Sequence, residues 1–196
     1  MYKKVEIKSK YEASANVYDS RYEQIQLQKY AQMLDGFVID KLPVLDLGCG
    51  TGLLAKHALA KPKLQVSQGE TVKINKKIFG CDISFEMLKI AKSRGEIIVQ
   101  ADQEHLPFRA NSFGTIFSFT SLQNSEKPEL MLKEAKRVLK TRRVNDSAAS
   151  ESKDSREDSV FILTYLKKFD FTKEIGKLFE IQEVKDLGED EGFVLL

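Results

Sequence analysis

No stretch of this 196-residue sequence approaches the roughly 20 consecutive apolar residues that cross a bilayer, and the opening MYKKVEIKSK has charge but no apolar run behind it. The sequence therefore predicts neither a membrane-spanning segment nor a signal peptide. Cysteine is nearly missing: Cys49 and Cys81 stand alone, at a spacing that offers no zinc cluster and no disulfide scaffold, which points to a reducing cytoplasm. Net charge is also small, +2 over the chain. What charge there is gathers in blocks. Residues 61–77 carry Lys61, Lys63, Lys73, Lys76 and Lys77 against Glu70, residues 133–143 are again basic, and residues 180–196 are acidic. Such blocks are solvated faces more often than partner surfaces. With 42% hydrophobic and 31% charged residues, the chain has the composition of one globular domain.

Within it, helical and strand-like periods alternate. Tyr11 to Val38 reads as a helix broken at Asp35-Gly36, PVLDLG as a short buried strand, and Thr51 to Ala60 as a helix stopped by Pro62. KLQVSQGETVKIN, within residues 62–77, reads as an inserted loop or hairpin around Gln68-Gly69. KIFGCDIS, EIIVQAD, FGTIFSFTSL and VFILTYLKKF are further strands. The helices SFEMLKIAKSRG and KPELMLKEAKRVLK fall between them, the second with Pro128 near its start. Residues 141–159 hold Val144 as their one large apolar residue and read as a polar flexible loop. A short helix over Thr172–Phe179 and the strands IQEVKDLG and EGFVLL close the chain. The alternation predicts an α/β fold: a doubly wound, mostly parallel seven-stranded sheet with helices on both faces and one antiparallel strand near the C-terminus.

VLDLGCGTG, residues 44–52, is a strand running into three alternate glycines and then a helix, which is a ligand-binding junction in α/β proteins. In an open parallel sheet, ligands sit beyond the carboxyl ends of the strands, and Asp46, Asp82 and Asp102 all fall at or just after such ends. A carboxylate ending the second strand suits a ribose diol, because it accepts from both hydroxyls. Taken alone, Asp82 or Asp102 reads equally well as a helix cap or turn carboxylate. A dinucleotide fingerprint, G-x-G-x-x-G, is mismatched: position 53 is leucine and the third glycine is Gly52. An acidic residue two places before Gly48 is awkward beside a pyrophosphate and favourable beside a ligand with an ammonium group and a sulfonium.

VLDLGCGTG resembles motif I of the class I S-adenosylmethionine-dependent methyltransferases. FGCDIS is similar to that family's second-strand motif, ADQEHLPFRANSFG to its acidic loop, and LKEAKRVLK to the helix that follows. The likeness covers about residues 37–140 and is nearest the small type 11 members. It implies S-adenosylmethionine as cofactor. Gly48, Cys49, Gly50 and Gly52 would line the methionine moiety, with Asp46 near its ammonium group. Asp82 would hold the ribose and Ile83 would pack on adenine. Asp102 would accept from the adenine amine beside Gln103, Phe119 would close the pocket near the sulfonium, and Tyr18 would reach the cofactor. The resemblance implies no metal.

Three departures accompany it: glycine at position 114, a long Asp46-to-Asp82 interval, and a polar stretch where the family turns on Pro-Gly-Gly. His57 and His105 read as packing or surface residues, and no residue stands out as a general base. SFTSLQN replaces the NPPY-like element of amide- and adenine-methylating branches, which leaves Gln123 and Asn124 either to orient a substrate or to cap a turn. The implied activity is methyl transfer to an unidentified acceptor (small molecule, protein or RNA). The competing expectation is a catalytically idle cofactor-binding subunit. Residues 1–41 are expected to form an N-terminal helical lid in which Tyr11 to Tyr22, with Ser121 to Asn124, covers the transfer site. Ile97, Ile98 and Val99, on the expected outer edge strand, would pair with a small activator protein, as in some members of the family.

Overall fold

The computed structural model describes residues 2–37, 39, 42–59, 78–140 and 159–196. Seven strands make one sheet: β1 (Val44–Leu47), β2 (Ile78–Asp82), β3 (Ile97–Gln100), β4 (Thr115–Phe119), β5 (Val160–Leu166), β6 (Ile181–Leu187) and β7 (Asp190–Leu195). Their order is β3-β2-β1-β4-β5-β7-β6. The first five pair in parallel, and β7 lies antiparallel between β5 and β6. The expected doubly wound sheet with one reversed strand is therefore the sheet found. Chain order reverses between β1 and β4, which opens a crevice at their carboxyl ends.

Burial follows position in the sheet. β1 and β4 are buried along their whole length, as strands covered on both faces must be, and read as near-continuous apolar runs. Successive side chains go to opposite faces. Leu45, Leu47 and Ile116 enter one core with Met131, Leu132, Ala135 and Val138 of helix α3 (Pro128–Val138). Val44, Phe117 and Ile162 enter the other, with Tyr30, Met33 and Leu34 from the end of helix α1 (Tyr2–Met33) and the turn after it. β3 is an edge strand with a half-exposed face, as its position in the order requires.

Helix starts are chemically marked. Ser84 caps helix α2 (Phe85–Ser93), its Oγ accepting from Met87 N at 3.2 Å. Pro128 occupies the first turn of α3, where its missing N–H costs nothing. A π-helical segment, Ala55–Leu59, lies within the helix expected after the glycine turn, and helix α4 spans Thr172–Gly176. The inserted segment 62–77 and residues 141–158 of the polar stretch fall outside the described residues.

α1 corrects the expected start, beginning at Tyr2 instead of Tyr11, and it ends at Met33, just before the break read at Asp35-Gly36. Its first turns have no apolar stripe, so periodicity alone misses them; they are fastened by polar contacts to distant loops. At 1.5 Å per residue its 32 residues span roughly 48 Å, long enough to cross the carboxyl-terminal side of the sheet.

Candidate functional site

The glycine turn after β1 is hung on the neighbouring strand: Gly48 N and Cys49 N both donate to Cys81 O, at 2.8 and 3.1 Å. Gly48 has φ +76, and a Cβ there would meet Ser121 Oγ at 2.2 Å, so only glycine admits both the turn and the loop after β4. Gly52 has a different task. A Cβ on it would strike Ala91 of α2 at 3.0 Å, and it lines none of the described cavities. Gly48 and Gly50, by contrast, face the cleft.

That cleft, about 80 Å³, is lined by Gly48, Gly50, Asp82, Ile83, Asp102, Gln103, Phe119 and Tyr18. A smaller recess of about 20 Å³ behind it is lined by Asp46, Cys49, Tyr18 and Phe119, among others. Eight of the residues expected from sequence thus surround the cleft, Asp46 and Cys49 lie one step deeper, and Gly52 stands apart. Asp82 Oδ2 accepts from Gly50 N at 3.0 Å and Oδ1 from Ser84 N at 2.9 Å, so the carboxylate ties the glycine turn to the start of α2 while lining the cleft. Gln103 Oε1 accepts from Ser121 Oγ at 2.6 Å and its Nε2 donates to Ser125 Oγ at 2.7 Å, holding the acidic loop to the loop after β4.

The electrostatics are lopsided. Burial pushes the Asp82 carboxyl up against three backbone N–H groups. Burial, Glu96 and Asp82 push Asp46 well above the carboxylate range. Burial also lifts Glu96 to about 7, against the pull of Cys49 and Arg94. Glu96 is the residue that sequence reasoning missed here. A Cβ on Gly80 would sit 1.9 Å from its Oε2, so Glu96 occupies the space under the glycine turn, and neither of its oxygens has a hydrogen-bond partner among the described residues. No motif announced it.

Asp46 and Glu96 are buried and Asp82 is half-buried; Asp46 lines the recess, Asp82 the cleft, and Glu96 lies beneath the glycine turn without lining either. A proton held more tightly in the folded state than its ordinary value of 4.5 stabilises the fold at low pH, and that stability is lost as pH rises through about 7. At about 1.4 kcal/mol per pH unit of separation, the loss is about 3 kcal/mol. Glu96→Gln is expected to raise the melting temperature by about 5 °C or more at pH 8 and by little at pH 5, read by thermal denaturation at both. Equal shifts at the two pH values would contradict the assignment.

α1 lies over the mouth. Lys4 Nζ bonds Asp102 Oδ2 at 2.6 Å and Glu104 Oε2 at 2.7 Å. Although burial opposes it, this pairing and the Glu104 N–H hold Asp102 below its ordinary range. Glu12 accepts from Phe85 N and Glu86 N at the start of α2, Asp19 pairs with Arg94 and Thr51, and Tyr11 accepts from Asn124 at 3.1 Å. Asp102, Glu104 and His105 bring ligand atoms within 4.8 Å of one another, but the Lys4 ammonium already serves both carboxylates.

A strand–glycine turn–helix junction, acids ending β2 and following β3, and this strand order define a Rossmann-like methyltransferase domain. The chain belongs to the class I S-adenosylmethionine-dependent methyltransferases: the family model described as a methyltransferase domain matches residues 45–142. S-adenosylmethionine is the cofactor of that family. Among curated relatives, an uncharacterised protein of Methanocaldococcus jannaschii is 32% identical over 173 residues, 85% of this chain and 54% of that protein. The chain spans about half or less of the length of the curated relatives it matches. Two solved structures share the fold. One is a SAM-dependent methyltransferase of Thermotoga maritima, with a TM-score of 0.63 at 18% identity over 94% of this chain and 97% of that one. The other is a methyltransferase of Haloferax volcanii in complex with the Trm112 methyltransferase activator, with a TM-score of 0.66 at 14% identity over 95% and 96%.

The residues present fit that cofactor. Asp46 on the recess and Asp82 on the cleft are carboxylates whose pKa burial has raised, and a ligand carrying an ammonium and a sulfonium suits that acidic side of the site.

Proposed function

We propose that the chain transfers a methyl group from S-adenosylmethionine to an acceptor held under α1. The observation that carries this reading is the pair of carboxylates, Asp82 on the cleft and Asp46 on the recess behind it, set around a glycine turn that opens on the cleft. When bound, S-adenosylmethionine supplies an electrophilic methyl group on a positively charged sulfur.

In this reading Asp46 faces the ammonium end, with Gly48, Cys49 and Gly50 along the methionine moiety. Asp82 accepts from the ribose hydroxyls and Ile83 packs on adenine. Asp102 and Gln103 sit at the adenine edge, and Phe119 and Tyr18 close the pocket toward the acceptor. The chain's own contribution to transfer is to hold the acceptor's lone pair in line with the methyl–sulfur bond in a dry space. Burial raises the pKa of Tyr11 and of Tyr18, so neither phenol is ionised near neutral pH, and no histidine among the described residues lines the cleft or the larger cavity beside it. The site therefore suits an acceptor that already offers a lone pair, such as an amine or a carboxylate.

α1 acts as the lid. A cleft of about 80 Å³ is below the roughly 300–1,000 Å³ of ordinary ligand pockets, so the first turns of α1 must move for the cofactor to enter. Lys4→Ala is expected to speed association of S-adenosylhomocysteine several-fold, measured by surface plasmon resonance. An unchanged or slower rate would contradict the latch.

A small activator protein pairing with β3 belongs to the same proposal, supported by the open edge, where Ile97 is 40% exposed, and by the activator complex of the Haloferax relative. So does a cytoplasmic location, supported by Cys49 and Cys81, both buried free thiols. Among the described residues no helix is long and apolar enough to cross a membrane. The test is transfer of label from methyl-tritiated S-adenosylmethionine into a cell extract. Label entering an extract component only when the chain is added supports the reading; S-adenosylhomocysteine bound with no label moved would overturn it in favour of an idle subunit.

A further inference from the structure

Beside the cofactor cleft lies a larger cavity of about 970 Å³, roofed by α1 and floored by the turns after β4 and β5 and between β6 and β7. The two share one wall, made by Ile7, Tyr11, Tyr18, Thr120 and Asn124. Thr120 follows β4 directly and holds φ at +56, a left-handed conformation that a β-branched residue keeps only under constraint. Its constraint is visible: Thr120 Oγ1 donates to Asp190 Oδ2 at 2.9 Å and accepts from Lys29 Nζ at 2.7 Å, and Lys29 pairs with Asp190 at 2.7 Å. That triad, in which Lys29 and Asp190 are buried, fixes the boundary between cleft and cavity.

Two features of the cavity are unanswered within the chain. First, its lining includes Gln26 and Gln123, each of which keeps a buried side-chain oxygen, Oε1, with no hydrogen-bond partner among the described residues. The Gln123 amide is oriented by its own Nε2, which donates to Thr120 O at 2.8 Å, so its oxygen is the end left over. A buried acceptor of this kind calls for an N–H or O–H donor. Second, the lining is cationic. With Lys29 and Asp190 neutralising each other, Lys3, Lys10, Arg21 and Lys168 remain against Glu6 and Glu189. Arg21 has no carboxylate at ion-pair distance among the described residues. Tyr22 and Phe169 add flat apolar surface to the same cavity.

We propose that this cavity is the acceptor site and that it takes an anionic small molecule, a carboxylate or phosphate on a flat apolar body, whose N–H or O–H donates to Gln123 Oε1. This rests on the methyltransferase reading and names its substrate class. Cations on the rim hold the anionic end, Gln123 orients the donor end, and the shared tyrosine wall places the molecule next to the cleft. A phosphate or a carboxylate would satisfy the same cations.

The test uses the full chain saturated with S-adenosylhomocysteine and three probes that share a phenol body: 4-hydroxybenzoate, neutral 4-hydroxybenzamide and cationic tyramine, with affinities read by saturation-transfer NMR titration. 4-Hydroxybenzoate is expected to bind about tenfold tighter than tyramine. The double variant Arg21→Glu, Lys168→Glu should cancel that preference while S-adenosylhomocysteine still binds within about twofold of the parent, which also shows the variant is folded. Gln123→Leu should weaken all three probes, because each carries the phenolic O–H. Equal or weaker binding of the anion, no binding of it at low-millimolar concentration, or a preference that survives charge reversal would each overturn this proposal alone. Failure of the parent chain to bind S-adenosylhomocysteine would overturn the methyltransferase reading and this proposal together.

Discussion

Replacing Asp82 by alanine is expected to weaken S-adenosylhomocysteine binding by about 10- to 150-fold. Hydrogen bonds accepted by a carboxylate are worth about 1.5–3 kcal/mol, and the ribose hydroxyls would lose theirs. The structure adds a second effect that residue type alone does not suggest. Asp82 also accepts from Gly50 N and Ser84 N, so its loss leaves two backbone donors of the glycine turn and the α2 start without their acceptor. Stability should fall by about 1–3 kcal/mol. Asp82→Asn separates the two effects, since its one carbonyl oxygen retains one of the backbone bonds while the net acceptor capacity for a diol is halved. Calorimetric titration alongside a thermal melt reads both. Parent-like affinity in a folded Asp82→Ala chain would remove Asp82 from the cofactor site.

Removing residues 1–22 is expected to abolish methyl transfer, by about 100-fold or more, while leaving a folded chain that binds S-adenosylhomocysteine with reduced affinity. The cut must not go further. Tyr30, Met33, Leu34 and Ile39 belong to the core against Val44, Leu54 and Phe117, so a chain beginning near Asp35 would expose that face of the sheet. The first 22 residues, in contrast, are tied down largely by polar contacts: Lys4 to Asp102 and Glu104, Glu12 to the start of α2, and Asp19 to Arg94 and Thr51. The partly exposed contacts among them contribute little to stability, and the buried Glu104 carboxylate keeps its bonds from Glu126 N and Lys127 N when Lys4 is gone. A circular-dichroism melt checks the fold, and label transfer from S-adenosylmethionine checks the activity. Full transfer by the shortened chain would refute the lid.

The strands and their parallel winding were legible because their patterns are local: β1, β4 and β5 are short apolar runs between turn residues. Gly48 and Gly50 were legible as cleft residues because only a ligand junction puts alternate glycines after a buried strand. Gly52 shares their pattern, yet it packs on Ala91, and spacing does not distinguish a backbone near a ligand from a backbone near a helix. The beginning of α1 was illegible for a different reason. Its stabilising partners, Asp102 and Glu104, lie about 100 residues away, and a helix held by distant charges leaves no apolar period to read. Glu96 and the Lys29–Asp190–Thr120 triad were invisible on the same ground. Each is an ordinary charged or polar residue in sequence and becomes particular only when the sheet brings its neighbours to it.

The central claim is that the junction after β1 is built for a cationic adenosyl ligand and not for a dinucleotide. Isothermal titration of the full chain with S-adenosylhomocysteine and, separately, with NAD tests it most directly. The account predicts saturable binding of S-adenosylhomocysteine at one site per chain and no measurable heat with NAD. Saturable NAD binding, or none of S-adenosylhomocysteine, would contradict it.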